Sequence, residues 1–159
     1  MIFKHNDNVK PIEMVAEMVK GKRLYLTPDG KRYPSVTTVI SSNPKKQAGL
    51  AKWRARVGKE KAASISASSA ARGTKFHSIT EDYLNNELKI DDYKGHPLPV
   101  VMFHSSQKTL DRISNIYLQE AALYSNHLEI AGRVDCIADF DGKLSIIDFK
   151  TSAAPKREA

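Results

Sequence analysis

Cysteine is nearly absent: Cys136 is the single one among 159 residues. One thiol makes neither an internal disulfide nor a cysteine-rich zinc site, and such usage suits a reducing cytosol. Long apolar runs are missing as well. None approaches the roughly 18 residues that a membrane span requires, and the opening Met1-Ile2-Phe3-Lys4-His5-Asn6-Asp7 has no apolar signal-peptide core. Acidic residues are scarce in one stretch. Between Pro44 and Lys61 only Glu60 is acidic, against Lys45, Lys46, Lys52, Arg54, Arg56, Lys59 and Lys61, so this segment carries +6 of the net +7. The remaining chain is close to neutral. These absences lead to the expectation of a cytoplasmic protein with no membrane contact, and the concentrated positive charge suits a polyanion such as nucleic acid.

What is present is ordinary for a globular protein: 41% hydrophobic and 27% charged residues. A chain of 159 residues fills one compact domain and not comfortably two. Val15, Met18 and Val19 have weak helical spacing. Arg23 to Pro34 reads as a hairpin around Pro28-Asp29-Gly30. Ser35 is placed to cap a short helix through Ile40, and Asn43-Pro44 looks like an N-cap followed by proline at the first helical position, opening a helix to about Val57 that Gly58 ends. An Ala/Ser-rich stretch then leads to Arg72-Gly73-Thr74 and a further helix through Leu84. Asp91 to Pro99 reads as a loop and Val100 to Tyr117 as a helix. Glu120–Tyr124, Leu128–Phe140 and Lys143–Thr151 read as three consecutive strands, and Ala153 to Ala159 as a loose tail. Helices followed by a β-meander indicate an α+β fold.

The strongest local signal is Asp141-Gly142 between two apolar runs, the pattern of a two-residue hairpin turn. If these two residues are the loop, Phe140 pairs with Lys143, and counting back along both strands sets Asp135 opposite Asp148. Cross-strand partners share a face, with Cβ atoms about 4.5–5.5 Å apart, and Lys150 projects to that face too. Two opposed carboxylates in a mostly apolar sheet repel each other, and a divalent cation between them removes the conflict. Carboxylate oxygens suit Mg²⁺ or Mn²⁺, and Lys150 would stabilise charge on a phosphoryl group or orient a water. The alternative is a salt-bridge network with Arg133 and Lys150.

Gly132-Arg133-Val134-Asp135 followed by Ile146-Ile147-Asp148-Phe149-Lys150-Thr151-Ser152 resembles the core of RecB-like PD-(D/E)XK nucleases. Arg72-Gly73-Thr74-Lys75-Phe76-His77 is similar to their helix motif. Tyr33-Pro34-Ser35-Val36-Thr37-Thr38-Val39 resembles an element of one branch, that of mitochondrial genome maintenance and phage exonucleases. The resemblance spans about residues 22 to 155. It implies a restriction-endonuclease-like αβββ core and a Mg²⁺- or Mn²⁺-dependent exonuclease acting on DNA, single-stranded ends in particular. Asp135 and Asp148 match the metal-binding acids, Lys150 the catalytic lysine, His77 a histidine metal ligand and the Phe149 carbonyl a further ligand. Glu120 matches an acidic residue seen in some members, and Glu81, one turn after His77, is a candidate partner for its imidazole.

Each of these residues also has a plainer interpretation. His77, beside Phe76 and Ile79, is otherwise a surface or core histidine. Glu120 faces Arg133 as an ion pair if Asn126-His127 is the preceding turn. Cys136 reads as a core thiol. In the nuclease setting Lys45, Lys46, Lys52, Arg54, Arg56, Lys59 and Arg72 are read as a nucleic-acid surface. Trp53 either stacks on a base or joins an apolar stripe with Leu50 and Val57, and the stripe is favoured.

The domain is taken as a single unit over 1–159, with an N-terminal hairpin and basic helical part over 1–60 and a nuclease core over 61–152. The chain stops nine residues after Lys150, where the resemblance implies a further helix bearing Gln-x-x-x-Tyr and more strands. The expectation is therefore a C-terminally incomplete domain: one half of a split enzyme completed by a second polypeptide, a fragment, or a non-catalytic relative that binds nucleic acid. The expected location is the cytoplasm, that of a host cell if the chain is phage-encoded.

Overall fold

Lys20-Gly21 closes the first hairpin, both residues taking the left-handed backbone that a two-residue turn needs (φ 49° and 75°). The computed structural model describes residues 2–152; the expected loose tail lies outside them. The hairpin joins β2 (Val15–Val19) to β3 (Lys22–Leu26), and β3 pairs with β4 (Arg32–Pro34) to complete a three-stranded antiparallel sheet. The Arg23–Pro34 hairpin was legible in the sequence. The helical spacing of Val15, Met18 and Val19 was misleading: all three are exposed strand residues, so their spacing reported no buried face.

Ser35 then caps α1 (Val36–Ser41) by accepting from the Thr38 amide, and Asn43 caps α2 (Pro44–Val57) by accepting from the Lys45 amide, with Pro44 at the helix start. Gly58 (φ 89°) breaks the chain between α2 and α3 (Lys59–Leu84). The Ala/Ser-rich stretch is therefore part of one 26-residue helix, not a lead-in to it. Ile90–Tyr93 forms a single 3₁₀ turn across the start of the expected Asp91–Pro99 loop, and α4 runs over Pro97–Leu110, beginning before that loop was expected to end. Residues 113 to 117, expected as helix, begin strand β5 (Ile113–Ser125), because Ile113 and Ile116 are buried as sheet residues of the main core.

Strands β1 (Lys4–His5), β5, β6 (Ile130–Phe140) and β7 (Lys143–Ile147) form the larger sheet in that order, β1 parallel to β5 and the rest antiparallel. Phe76, Ile79 and Leu84 of α3 and Phe103 and Leu110 of α4 pack on Ile113, Ile116, Cys136 and Ala138 of this sheet. A second small core of Tyr25, Tyr33 and Ala131 seats the three-stranded sheet on β6. The result is a mixed α+β fold, with α3 lying against the strands that carry Glu120 and Asp135.

Trp53 and Val57 are half-buried and Leu50 is exposed, so α2 buries no residue fully, and Trp53 is not a core residue. Lys45, Lys46, Lys52, Arg54, Arg56, Lys59 and Lys61 are all exposed. Among the described residues no helix is long and apolar enough to cross a membrane.

Candidate active site

The segments singled out in the sequence converge in space. A Cβ added at Gly132 would lie 3.2 Å from Val36 Cγ2, so glycine is what lets α1 press on β6. A Cβ at Gly73 would lie 3.7 Å from Thr151 Oγ1, which brings the Arg72–His77 segment of α3 against the chain after β7. Phe76 and Ile79, both buried, fix the turn of α3 that presents His77.

His77 Nε2 donates to the Phe149 carbonyl at 2.7 Å. A carbonyl only accepts, so Nε2 carries a proton and Nδ1 is the nitrogen left for another partner. It looks at Glu120 Oε1 and Asp135 Oδ2, each 3.8 Å away. The Phe149 peptide is gripped at both ends, since its N–H donates to Asp135 Oδ2 at 2.7 Å. One ligand atom from each of His77, Glu120 and Asp135 lies within 4.8 Å of the others, and all three residues are partly buried. Three electron-rich atoms converging this closely repel one another unless a proton or a cation sits between them. The donor set of one imidazole and two carboxylates fits a divalent metal.

Glu120 reaches this group through a register that differs from the expected one. The β5–β6 connection is a four-residue loop, 126 to 129, not a two-residue turn; Ser125 pairs with Ile130. Gln119↔Cys136 and Ala121↔Val134 flank the site, so Glu120 stands across from Asp135 rather than Arg133. Arg133 still reaches it diagonally: its Nε–H donates to the Glu120 carbonyl (2.7 Å), and Nε forms an ion pair with Oε2 (3.0 Å).

The β6–β7 register is the expected one, Phe140↔Lys143 through Cys136↔Ile147. The ladder stops there, however, one step before Asp148. Asp148 is not in the three-residue group: its exposed carboxylate pairs with Lys150. The reason is local, because the Asp135 carboxylate takes the Phe149 amide and turns the chain out of the sheet. Asp148 and Lys150 line a depression with Phe76, Leu110 and Phe140, whereas His77 and Glu120 line another with Gly73, Thr74 and Glu81. Asp135 thus stands opposite Glu120 on its β5 side, while on its β7 side the paired ladder ends at Ile147, one step before Asp148.

Glu81 lies in that second depression. Burial first, and the Glu120 charge second, hold its carboxyl above the usual range. The His77 nitrogens face Phe149, Glu120 and Asp135 rather than Glu81. Arg72 is half-buried, with Nε shielded and without a hydrogen-bond partner among the described residues. The Cys136 thiol is pushed up to about 12, chiefly by burial, and is an inert core group. The Glu120–Arg133 ion pair is the one read from the sequence, though it forms diagonally and not between facing residues; the close approach at Gly132 was not anticipated, and a glycine inside a strand is the one sequence cue to it.

No family model matches the chain. Curated relatives do. It is 30% identical over 129 residues to mitochondrial genome maintenance exonuclease 1 of Mus musculus and of Homo sapiens, and 34% identical over 131 residues to that of Xenopus tropicalis. These relatives are exonucleases by name. Each match covers 77% of this chain, and the chain spans 37–38% of the length of these relatives. The similarity supports kinship with a nuclease family.

Proposed function

We propose that the chain is a metal-dependent DNA exonuclease domain of the PD-(D/E)XK class, with a restriction-endonuclease-like core, cutting phosphodiester bonds at single-stranded ends. What carries the proposal is the meeting of His77 Nδ1, Glu120 and Asp135 beside the Phe149 peptide, where the chemistry asks for a cation. The name of the relatives supports nuclease chemistry and DNA as substrate.

In this proposal His77, Glu120 and Asp135 would hold Mg²⁺ or Mn²⁺, with Asp148 and the Phe149 carbonyl as further candidate ligands. A divalent cation there supplies charge to polarise a phosphoryl oxygen and to make a water more acidic. The chain's own residues do the rest. The Nε2–H···O bond to Phe149 locks the tautomer that leaves Nδ1 free. The Asp135 bond to the Phe149 amide sets the direction in which Asp148 and Lys150 leave the sheet. Lys150, which pairs with Asp148, would turn to the phosphate as negative charge develops there. The basic residues of α2, with Lys59 and Arg72, guide the strand by its phosphates.

A second proposal is favoured by one observation. Among the described residues β7 is an edge strand, and Leu144 and Ile146, 69% and 75% exposed, make it apolar, an edge that proteins ordinarily cover. Activity would then need further polypeptide over β7, from a longer chain or a partner. The test is cleavage of end-labelled single- and double-stranded DNA with Mg²⁺, for the chain alone and for a chain extended as its relatives are. Cleavage that needs Mg²⁺ and is lost in Lys150→Ala and Asp148→Ala supports the enzyme. Full cleavage by both variants rejects the mechanism. Activity only in the extended form selects the second proposal.

A further inference from the structure

We propose that Arg133 is a positioning residue that clamps Glu120 into the cation-binding group. The inference rests on reading Glu120 as a ligand. It starts from an oddity of backbone: Glu120 has φ 47°, in the left-handed region that a non-glycine residue enters only when its surroundings require it. This happens inside a long strand, between Gln119 and Ala121, which both keep their regular partners on β6. The residue is turned without breaking the ladder around it.

Arg133 makes the contacts that hold the turned residue. The Nε–H donates to the Glu120 carbonyl at 2.7 Å, and the same nitrogen lies 3.0 Å from the Glu120 carboxylate Oε2 as an ion pair. Backbone and side chain of Glu120 are thereby tied to a single planar group. With Oε2 occupied, Oε1 is the oxygen turned toward His77 Nδ1. The Arg133 side chain is 62% exposed and Glu120's 22%, so the clamp reaches inward from the groove lined by residues 11 to 18, Arg23 and Tyr25.

An exposed ion pair by itself does little. This one differs because the same donor also fixes a carbonyl whose residue is turned into the site. The two effects of the arginine have opposite signs, which makes the idea testable. Its positive charge opposes binding of a cation nearby. Its grip on Glu120 favours binding by keeping a ligand in place. If only the charge mattered, removing it would tighten metal binding; if the clamp dominates, removing it loosens binding, and partners behind a metal ligand are typically worth 10–100-fold in affinity.

The experiment is a Mn²⁺ titration of the full chain, with the free ion followed by electron paramagnetic resonance. Wild type, Arg133→Gln, Arg133→Lys, Glu120→Gln and the Glu120→Gln/Arg133→Gln double variant are compared. Arg133→Gln is expected to weaken Mn²⁺ binding about tenfold, with Arg133→Lys between it and wild type. In the Glu120→Gln background, Arg133→Gln is expected to cause no loss, because the group it positions is already disabled. Wild-type or tighter binding by Arg133→Gln overturns the inference while leaving the ligand set intact, as does an equal loss in both backgrounds. A wild type that binds no Mn²⁺ overturns the proposed function and the inference together.

Discussion

Helix α2 and the second half of α3 are neighbours in sequence and opposites in construction. α2 carries five exposed basic residues and buries no side chain fully. From Phe76 to Leu84, α3 buries Phe76, Ile79, Thr80 and Leu84 and presents His77 against three hydrogen-bonded or charged partners from β5, β6 and the chain after β7. The difference follows the demands of the two ligands proposed for them. A small cation is held only by donors fixed to within fractions of an ångström, so its ligands sit on anchored backbone. A flexible polyanion is met by long solvated side chains whose contribution is charge.

The sharpest way to break this comparison is to damage each half in turn. Asp135→Asn keeps an oxygen for the Phe149 amide and removes the charge. Cleavage with Mg²⁺ should fall by about 10³-fold, since metal-assisted charge stabilisation is worth several kcal/mol and each 1.4 kcal/mol is a factor of ten. DNA binding without metal should change little. The triple variant Lys45→Ala, Lys46→Ala, Lys52→Ala should do the reverse. Mn²⁺ affinity should hold, while the slope of log affinity against log salt for single-stranded DNA should become shallower by about 2, at about 0.7 for each phosphate no longer neutralised. Binding isotherms at several salt concentrations measure the slope. A triple variant with an unchanged slope would remove α2 from the DNA surface.

Glycine sharpens the same contrast on the scale of stability. Gly132 stands where a Cβ would meet Val36 at 3.2 Å, whereas a Cβ at Gly49, inside α2, meets nothing within 4 Å. Gly132→Ala should therefore destabilise by about 1 kcal/mol through overpacking. Gly49→Ala should stabilise by about 0.5–1 kcal/mol, because alanine restricts the unfolded chain and costs the helix nothing. Urea midpoints of the two variants should shift in opposite directions.

Much of this could be read before any coordinates, and the misses share one cause. Ser35, Asn43-Pro44 and Asp141-Gly142 announce their caps and turn locally, and the structure has them all. Partners set by distant atoms were not legible. The loop after β5 has four residues rather than two, so the register moved by two places; the parity held, and Glu120 kept its face while exchanging Arg133 for Asp135 as its opposite number. Asp148 follows from the hairpin count but leaves the ladder, because the Asp135 carboxylate takes the Phe149 amide, and no hydrophobic pattern encodes that bond. The spacing of Val15, Met18 and Val19 suggested a helix only because their exposure was unknown.

The smallest expected effect concerns Glu81, which shares a depression with His77 and Glu120. Burial and the Glu120 charge raise its carboxyl above the ordinary value. The folded protein therefore holds this proton more tightly than the unfolded chain does, and ionisation penalises the fold. The penalty is absent below the unfolded carboxylate range near pH ~4.3 and grows as pH rises through the folded value. Glu81→Gln removes it, so the variant should melt slightly higher than wild type at pH 7 and level with it at pH 4. Mn²⁺ should narrow the pH 7 gap, because a cation beside Glu120 offsets the repulsion that Glu81 feels. Lys52 is exposed on α2, and Lys52→Gln should leave the melting temperature unchanged at both pH values. A gain for Glu81→Gln that is equal at pH 4 and pH 7 would mean that its shape, not its charge, strains the site.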